Sequence, residues 1–221
     1  MDYYNVGDDQ PQPPPECRLL TLRDTSSQEY FENTYNYNTS NNPVSIRYSM
    51  YDYILDYTHE YVFDFSYDDL GRLVSRTSDF AYGGDMVYYA YEGNSNLPVR
   101  DTVVSLYSSW VEDLEYDEQG RLVKMTQRDF QFVIPEENPG PYPDIIYRYY
   151  YDIRGNRQEH PSNPGYGGLI QYSDNPSLYS LHPVWQIVYK NHSRNSIAGA
   201  QINEDGLPAK IGGMTARYEC N

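Results

Sequence analysis

The chain has 221 residues and a formal charge of −16, set by 32 acidic against 16 basic side chains. That balance repels phosphates and disfavours nucleic acid and anionic membrane surfaces as partners; its plainest use is solubility. Mean hydropathy is −0.79, yet aromatic residues reach 16% and include 27 tyrosines, so the composition is that of a folded chain rather than a disordered one.

In chain order, residues 1–16 are acidic and proline-rich and are expected to form an extended tether. Met1 is followed by Asp2-Tyr3-Tyr4, which has neither the basic nor the apolar region of a signal peptide. The expectation is that Met1 stands in place of a removed leader, a cytosolic start being the alternative. Residues 17–221 read as one β domain, a common length for a single all-β unit.

The first strand is expected at Arg18-Leu19-Leu20-Thr21-Leu22. Further strands are expected at 61–67, 86–91, 103–107, 130–134, 145–151 and 185–189, where β-branched and aromatic residues alternate or run together. No segment has a convincing helical period; 177–189 has room for a turn or two. No apolar run is long enough for a transmembrane helix. The loops at 135–144 and 161–176 are long for hairpin connections, and long loops often carry function.

Between strands, one turn signature recurs: Tyr67-Asp68-Asp69-Leu70-Gly71-Arg72-Leu73, then Tyr116-Asp117-Glu118-Gln119-Gly120-Arg121-Leu122, and, less completely, Tyr151-Asp152-Ile153-Arg154-Gly155-Asn156-Arg157. Asp at the first position of a type I turn bonds its own backbone two residues on, and Gly at the fourth takes the left-handed conformation that closes the hairpin. A second flavour aligns Asn203-Glu204-Asp205-Gly206-Leu207-Pro208 on Asn38-Thr39-Ser40-Asn41-Asn42-Pro43, with Asn41 in the left-handed place of Gly206. A looser copy spans 93–100, where Asn96 takes that place two residues before Pro98. The fold class is therefore all-β: an antiparallel meander of about six β-hairpins forming a curved or partly rolled sheet. Its units are too unevenly spaced for a solenoid.

The motif Tyr-Asp-x-x-Gly-Arg-Leu resembles the YD repeats of Rhs and teneurin-type proteins. The stretch Trp185 to Ile211, with Tyr189-Lys190-Asn191-His192-Ser193-Arg194-Asn195 before Gly206-Leu207-Pro208, resembles small YD-repeat-like surface lipoproteins of Bacteroides-type bacteria. The resemblance implies a hairpin fold and an extracytoplasmic place, at the outer membrane or cell surface through a removed lipid anchor, with the periplasm as alternative. It carries over no catalytic residue and no cofactor.

Cys17 and Cys220 bracket the domain. In an oxidising compartment they can join its two ends; the alternative is two buried thiols, and both readings stay open. The four histidines match no zinc pattern, and no metal is expected. The turn acids Asp68 and Asp117 are demanded by turn geometry before any calcium is invoked. Carboxylate pairs for glycoside hydrolysis are abundant without being marked out.

The tyrosines and tryptophans are the one feature with a ligand chemistry, since an exposed aromatic platform stacks on sugar rings. Candidates are Tyr88, Tyr107, Trp110, Tyr147, Tyr149, Tyr151 and Trp185. The competing reading is cross-strand ladders that hold the hairpins together. The expected function is a non-enzymatic structural or interaction module, with glycan binding as the alternative and a hydrolase last. The partner is expected to be a polysaccharide or a surface protein.

Overall fold

The computed structural model describes residues 17–24, 31–78, 85–105, 108–132, 142–158, 170–211 and 213–220. The tether at 1–16, Tyr107 and most of the two long loops lie outside them. The protein is all-β, built on a 13-stranded antiparallel sheet. Its strands are β1 (Cys17–Asp24), β2 (Phe31–Tyr37), β3 (Pro43–Asp52), β4 (Tyr57–Tyr67), β5 (Leu73–Ser78), β6 (Met86–Ala90), β7 (Arg100–Val104), β8 (Ser108–Tyr116), β9 (Leu122–Phe132) and β10 (Ile145–Arg148). Two small hairpins follow, from β11 (Tyr150–Tyr151), β12 (Arg157–Gln158), β13 (Tyr172–Pro176) and β14 (Asn195–Ile197). The chain then returns to the large sheet through β15 (Gln201–Ile202), β16 (Pro208–Ile211) and β17 (Met214–Cys220). The spatial order runs from β10 down to β1 and on through β17, β16 and β15, so β10 and β15 are the two edges.

The six expected hairpins are present as β2–β3, β4–β5, β6–β7, β8–β9, β11–β12 and β15–β16. The turn residues act as their chemistry requires. Asp68 Oδ1 accepts from the backbone N–H of Leu70 and Arg72, Asp117 Oδ1 from Gln119 and Arg121, and Asp152 Oδ1 from Arg154 and Asn156. Asn203 does the same for Asp205 and Leu207, and Asn38 for Ser40 and Asn42. Left-handed residues close these turns at Asn41, Gly71, Gly120, Gly155 and Gly206. The β6–β7 connection departs from expectation: Gly93, not Asn96, has positive φ, so Pro98 follows a longer turn.

The Arg-Leu that follows the glycine has its own physics. Leu73 and Leu122 are 1% exposed and Leu207 is fully buried, so three of the hairpins seal their exits with an apolar side chain, while the Asp152 turn exits through the buried Asn156. Arg72 donates from Nε to Asp68 Oδ2 at 2.7 Å and lies 4.6 Å over the Tyr91 ring of the next unit. Arg121 repeats this with Asp117 (2.7 Å) and the Tyr151 ring (4.7 Å). Asp68 is held below the usual carboxylate range, first by the backbone hydrogen bond from Arg72. For Asp117 burial pushes upward, but the Arg121 hydrogen bonds outweigh it and the net shift is also downward.

Five tyrosines, four of them just ahead of a turn, tie one strand unit to the one before, whereas Tyr116 instead meets the His192 ring edge to face. Tyr37 OH donates to Leu19 O (2.8 Å), Tyr67 to Pro43 O (2.6 Å), Tyr91 to Leu73 O (2.8 Å) and Tyr151 to Leu122 O (2.9 Å). Tyr218 closes the series on Pro208 O at 2.7 Å. Except for Leu19, each acceptor is the first strand residue after a turn. Burial pushes the phenols of Tyr91 and Tyr151 up to about 12, so they remain donors at physiological pH.

Residues 185–189, expected as a strand, are instead helical. A 3-10 turn (Leu178–Leu181) leads into α1 (Pro183–Tyr189). Proline at the first helical position and the His182 N-cap start it, and Val184, Trp185, Ile187 and Val188 form an apolar stripe at helical spacing. β-Branched and aromatic content suits a strand equally, which is why composition misleads here. Burial lowers the His182 imidazole to about 4, so it stays neutral and its Nδ1 accepts from Val184 N at 3.2 Å.

Trp185, 1% exposed, sits against Tyr35, Tyr37 and Phe65, with ring centroids 5.2, 6.3 and 5.9 Å away. One core cluster takes residues from β17 and β1 through to β7, so the sheet curves around α1. A smaller cluster of Leu114, Leu122 and Met125 lies under β8 and β9. The expected strand at 145–151 is divided: β10 pairs with β9, while β11 pairs with β12.

The first and last strands are neighbours, and Cys17 lies directly across from Cys220 with a disulfide between them. Arg18 and Glu219 form an ion pair one step along the ladder.

Two stability predictions follow from these contacts. Gly71 has φ +76° and open space around its missing Cβ, so Gly71→Ala isolates the backbone cost. It is expected to lose about 1–2 kcal/mol in chemical denaturation, with Gly71→Asn losing less because Asn41 already fills the equivalent place. Replacing both cysteines by serine is expected to lower stability by about 2–5 kcal/mol in urea melts, since the bond closes nearly the whole chain.

Candidate functional site

The sequence-nominated aromatic residues do not form one platform. Trp185 is core, and Tyr151 is spent on Leu122 O and Arg121. Tyr149 is half-buried with Arg157 4.4 Å over its ring. Tyr88 and Tyr147 are exposed, but on β6 and on the edge strand β10, four strand positions apart in the sheet. Trp110 remains: half-buried on β8, it stacks on Phe130 at 5.9 Å and 22°. Tyr107 lies outside the described residues. Tyr149 and Tyr151 are taken up by contacts between neighbouring strands and turns, while Trp185 belongs to neither reading, being a core residue of the helix. The turn acids likewise spend their carboxylate oxygens on the turns.

Two features that the sequence reading missed stand out. The first is ionic. Asp101 on β7 and Glu112 on β8 are directly paired and share the face that α1 covers. Asp101 is 0% exposed and Glu112 6%. Lys190, the C-cap of α1, adopts a left-handed conformation (φ 49°) and brings Nζ to 3.0 Å from Asp101 Oδ2 and into contact with Glu112 Oε2. Trp110 Nε1 donates to Glu112 Oε1 at 2.9 Å. Burial raises the Asp101 carboxyl, while Lys190 and then Arg76 oppose it. Arg76 stands on β5, its guanidinium 5.5 Å from the Phe63 ring, and its Nε has no hydrogen-bond partner among the described residues.

This arrangement latches the helix to the sheet. Two buried carboxylates need a cation, and the only way α1 can deliver one is through a residue at its C-terminal end. It is also the most enclosed carboxylate pair on the helix-covered face, but solvent does not reach Asp101. No sequence motif marks it, because Asp101, Glu112 and Lys190 are far apart in the chain and a lone Lys after a helix is ordinary.

The second feature is a rim. In a meander, alternate connections fall at opposite ends of the strands, which form two rims distinct from the edge strands β10 and β15. The recurrent Asp and Asn turns line one of them; the other carries connections of mixed length, from the four-residue β3–β4 tip, capped by Asp52, to the β9–β10 link. At this second rim β9 bulges where Asp129 takes φ 53°, and Phe130 is set beside Trp110. A cavity of about 130 Å³ opens there, lined by Gln127, Arg128, Phe130, Tyr142, Pro143 and Ile145. At the same rim the β3–β4 tip presents Tyr53, Ile54 and Leu55, between 51% and 74% exposed.

No helix of the described residues is long and apolar enough to cross a membrane. The solved structure of a porin-like protein from Bacteroides uniformis is similar to this chain, with a TM-score of 0.53 and 12% identity, covering 96% of this chain and 99% of that one. At that identity the likeness is one of fold: an all-β meander sheet of many strands. No family model matches the chain, and no curated protein does. The YD-repeat resemblance thus rests on the turn motifs themselves.

Lys190→Met is expected to destabilise the protein by about 3–5 kcal/mol, because two buried carboxylates lose their cation. A carboxyl whose folded pKa lies above its unfolded value costs stability above that pKa and regains it as pH falls. The loss should therefore be larger at pH 8 than at pH 5, as read by denaturant melts of both proteins across that range.

Proposed function

We propose that the chain is a non-catalytic structural or interaction module that works outside the cytoplasm, at a bacterial outer membrane or cell surface. The observation that carries this reading is the Cys17–Cys220 disulfide across the pairing of β1 and β17. Structural disulfides persist in oxidising compartments and are rare in the cytosol. The reading is supported by the use of the repeat tyrosines, whose hydroxyls hold one hairpin to the next. The likeness to a protein described as porin-like agrees with a surface place. Attachment through a lipidated leader, with residues 1–16 as spacer, is part of the proposal. A second reading, glycan binding, is favoured by the cavity lined by Phe130 and Tyr142.

The test is thiol trapping in the native host. Cells are quenched with acid, the protein is denatured, and free thiols are tagged with a maleimide polymer before and after reduction. No tag before reduction and two after is the expected pattern; two tags before reduction would place the protein in a reducing compartment and end this reading. Incorporation of labelled palmitate into the native gene product tests the anchor separately.

A further inference from the structure

We propose that the cavity at the β9 bulge is a binding site for one ring of a neutral sugar. This deepens the glycan-binding reading and rests on it.

The walls have the two-sided chemistry of a pyranose. Phe130 and Tyr142 meet edge to face, their centroids 5.4 Å apart, and form an apolar corner. A sugar presents C–H groups on its faces and hydroxyls on its rim, so one ring surface and a few polar groups satisfy it together. Gln127 supplies an amide: its Oε1 accepts from Tyr147 OH at 3.5 Å, which leaves its N–H groups as donors. Arg128 forms the adjoining wall, with its Nε buried and without a hydrogen-bond partner among the described residues. A buried N–H of that kind is costly unless something accepts from it.

Charge selects a neutral ligand. Arg128 and Arg100 share Asp113, and Asp129 also bears on Arg100, so two arginines face two carboxylates and the local charges balance. The chain as a whole carries −16, which repels uronates and sulfated sugars. Size selects a single ring: about 130 Å³ is well under the range of about 300–1,000 Å³ that encloses larger ligands. The site also has a rigid back. Trp110 stacks behind Phe130 and is itself anchored through Nε1 to Glu112, which ties the wall to the ionic latch of α1.

Saturation-transfer NMR on the folded protein tests this with glucose, galactose, mannose and N-acetylglucosamine, using glucuronate as the charge control. At least one neutral sugar is expected to receive saturation and titrate with a Kd of about 1–10 mM, as befits one small ring. Gln127→Ala and Tyr142→Ala should each weaken it about fivefold or more, while Tyr88→Ala, on another strand, should leave it unchanged. If Tyr142→Ala does not fold, Arg128→Met takes its place, with the same expectation. The proposal is overturned by no transfer to any neutral sugar at about 20 mM, by titrations indifferent to these variants, or by tighter binding of glucuronate. The thiol-trapping result is independent of all these outcomes, so a failed sugar site and a failed surface reading are told apart.

Discussion

The tyrosine-to-carbonyl bond between successive hairpins is the constraint on which this fold depends. A β-hairpin alone is marginal in water, because two strands bury little apolar area. At the two full turn motifs a ring, a hydroxyl and a guanidinium meet at one place between neighbouring hairpins. The tyrosine lays its ring along the preceding unit and donates to the carbonyl just beyond that unit's turn. The arginine at the turn exit binds its own turn aspartate and covers the next tyrosine. Each turn therefore holds itself closed and also holds the next strand pair in register. That double use explains why tyrosine, aspartate, glycine, arginine and leucine recur together and not singly.

The same logic leaves the two rims of the sheet unlike. One rim is committed to turn chemistry, with left-handed glycines or asparagines, capped amides and buried exit leucines. A substitution there disturbs both a turn and an inter-hairpin bond. At the opposite rim the β3–β4 tip is capped in the same way by Asp52, but it lacks the repeated arginine and exit leucine, and the connections there vary in length and carry exposed apolar residues. Variation in loops of this kind is cheap, so ligand chemistry accumulates there. The bulge at Asp129 and the aromatic corner beyond it belong to this freer rim.

Much of the fold was legible because its signals are local. Asp68, Gly71, Asp117 and Gly120 state a turn within five residues, and a meander follows when such turns alternate with extended runs. The helix was not legible: Val184, Trp185, Ile187 and Val188 suit a strand by composition, and only Pro183 and the His182 cap argue otherwise. Gly93 for Asn96 is a similar failure, since both residues tolerate positive φ and the turn's length decides between them. The aromatic candidates divided for a reason that spacing does not carry. Trp110 and Trp185 look alike in sequence, but one faces a rim and the other an interior. The ionic latch was beyond sequence reading altogether, because Asp101, Glu112 and Lys190 meet only after the sheet has curved.

That latch bears on why the helix adopts one position. Its apolar stripe would pack against many parts of a curved, tyrosine-lined sheet with similar gain, since burial is non-directional. An ammonium held between two buried carboxylates is satisfied at one point only. Lys190 accepts a left-handed backbone to reach that point, a conformation that costs a non-glycine residue about 1–2 kcal/mol. Hydrophobic replacement of buried charges is often neutral or stabilising; what it would lack here is a register for α1 against β7 and β8. Trp110 shares in that register through Glu112, so the position of the helix is coupled to the aromatic wall at the rim. The interior charge is thus best understood as a positional device that fixes the helix and, through Glu112 and Trp110, bears on the aromatic wall of the cavity at the β9 bulge.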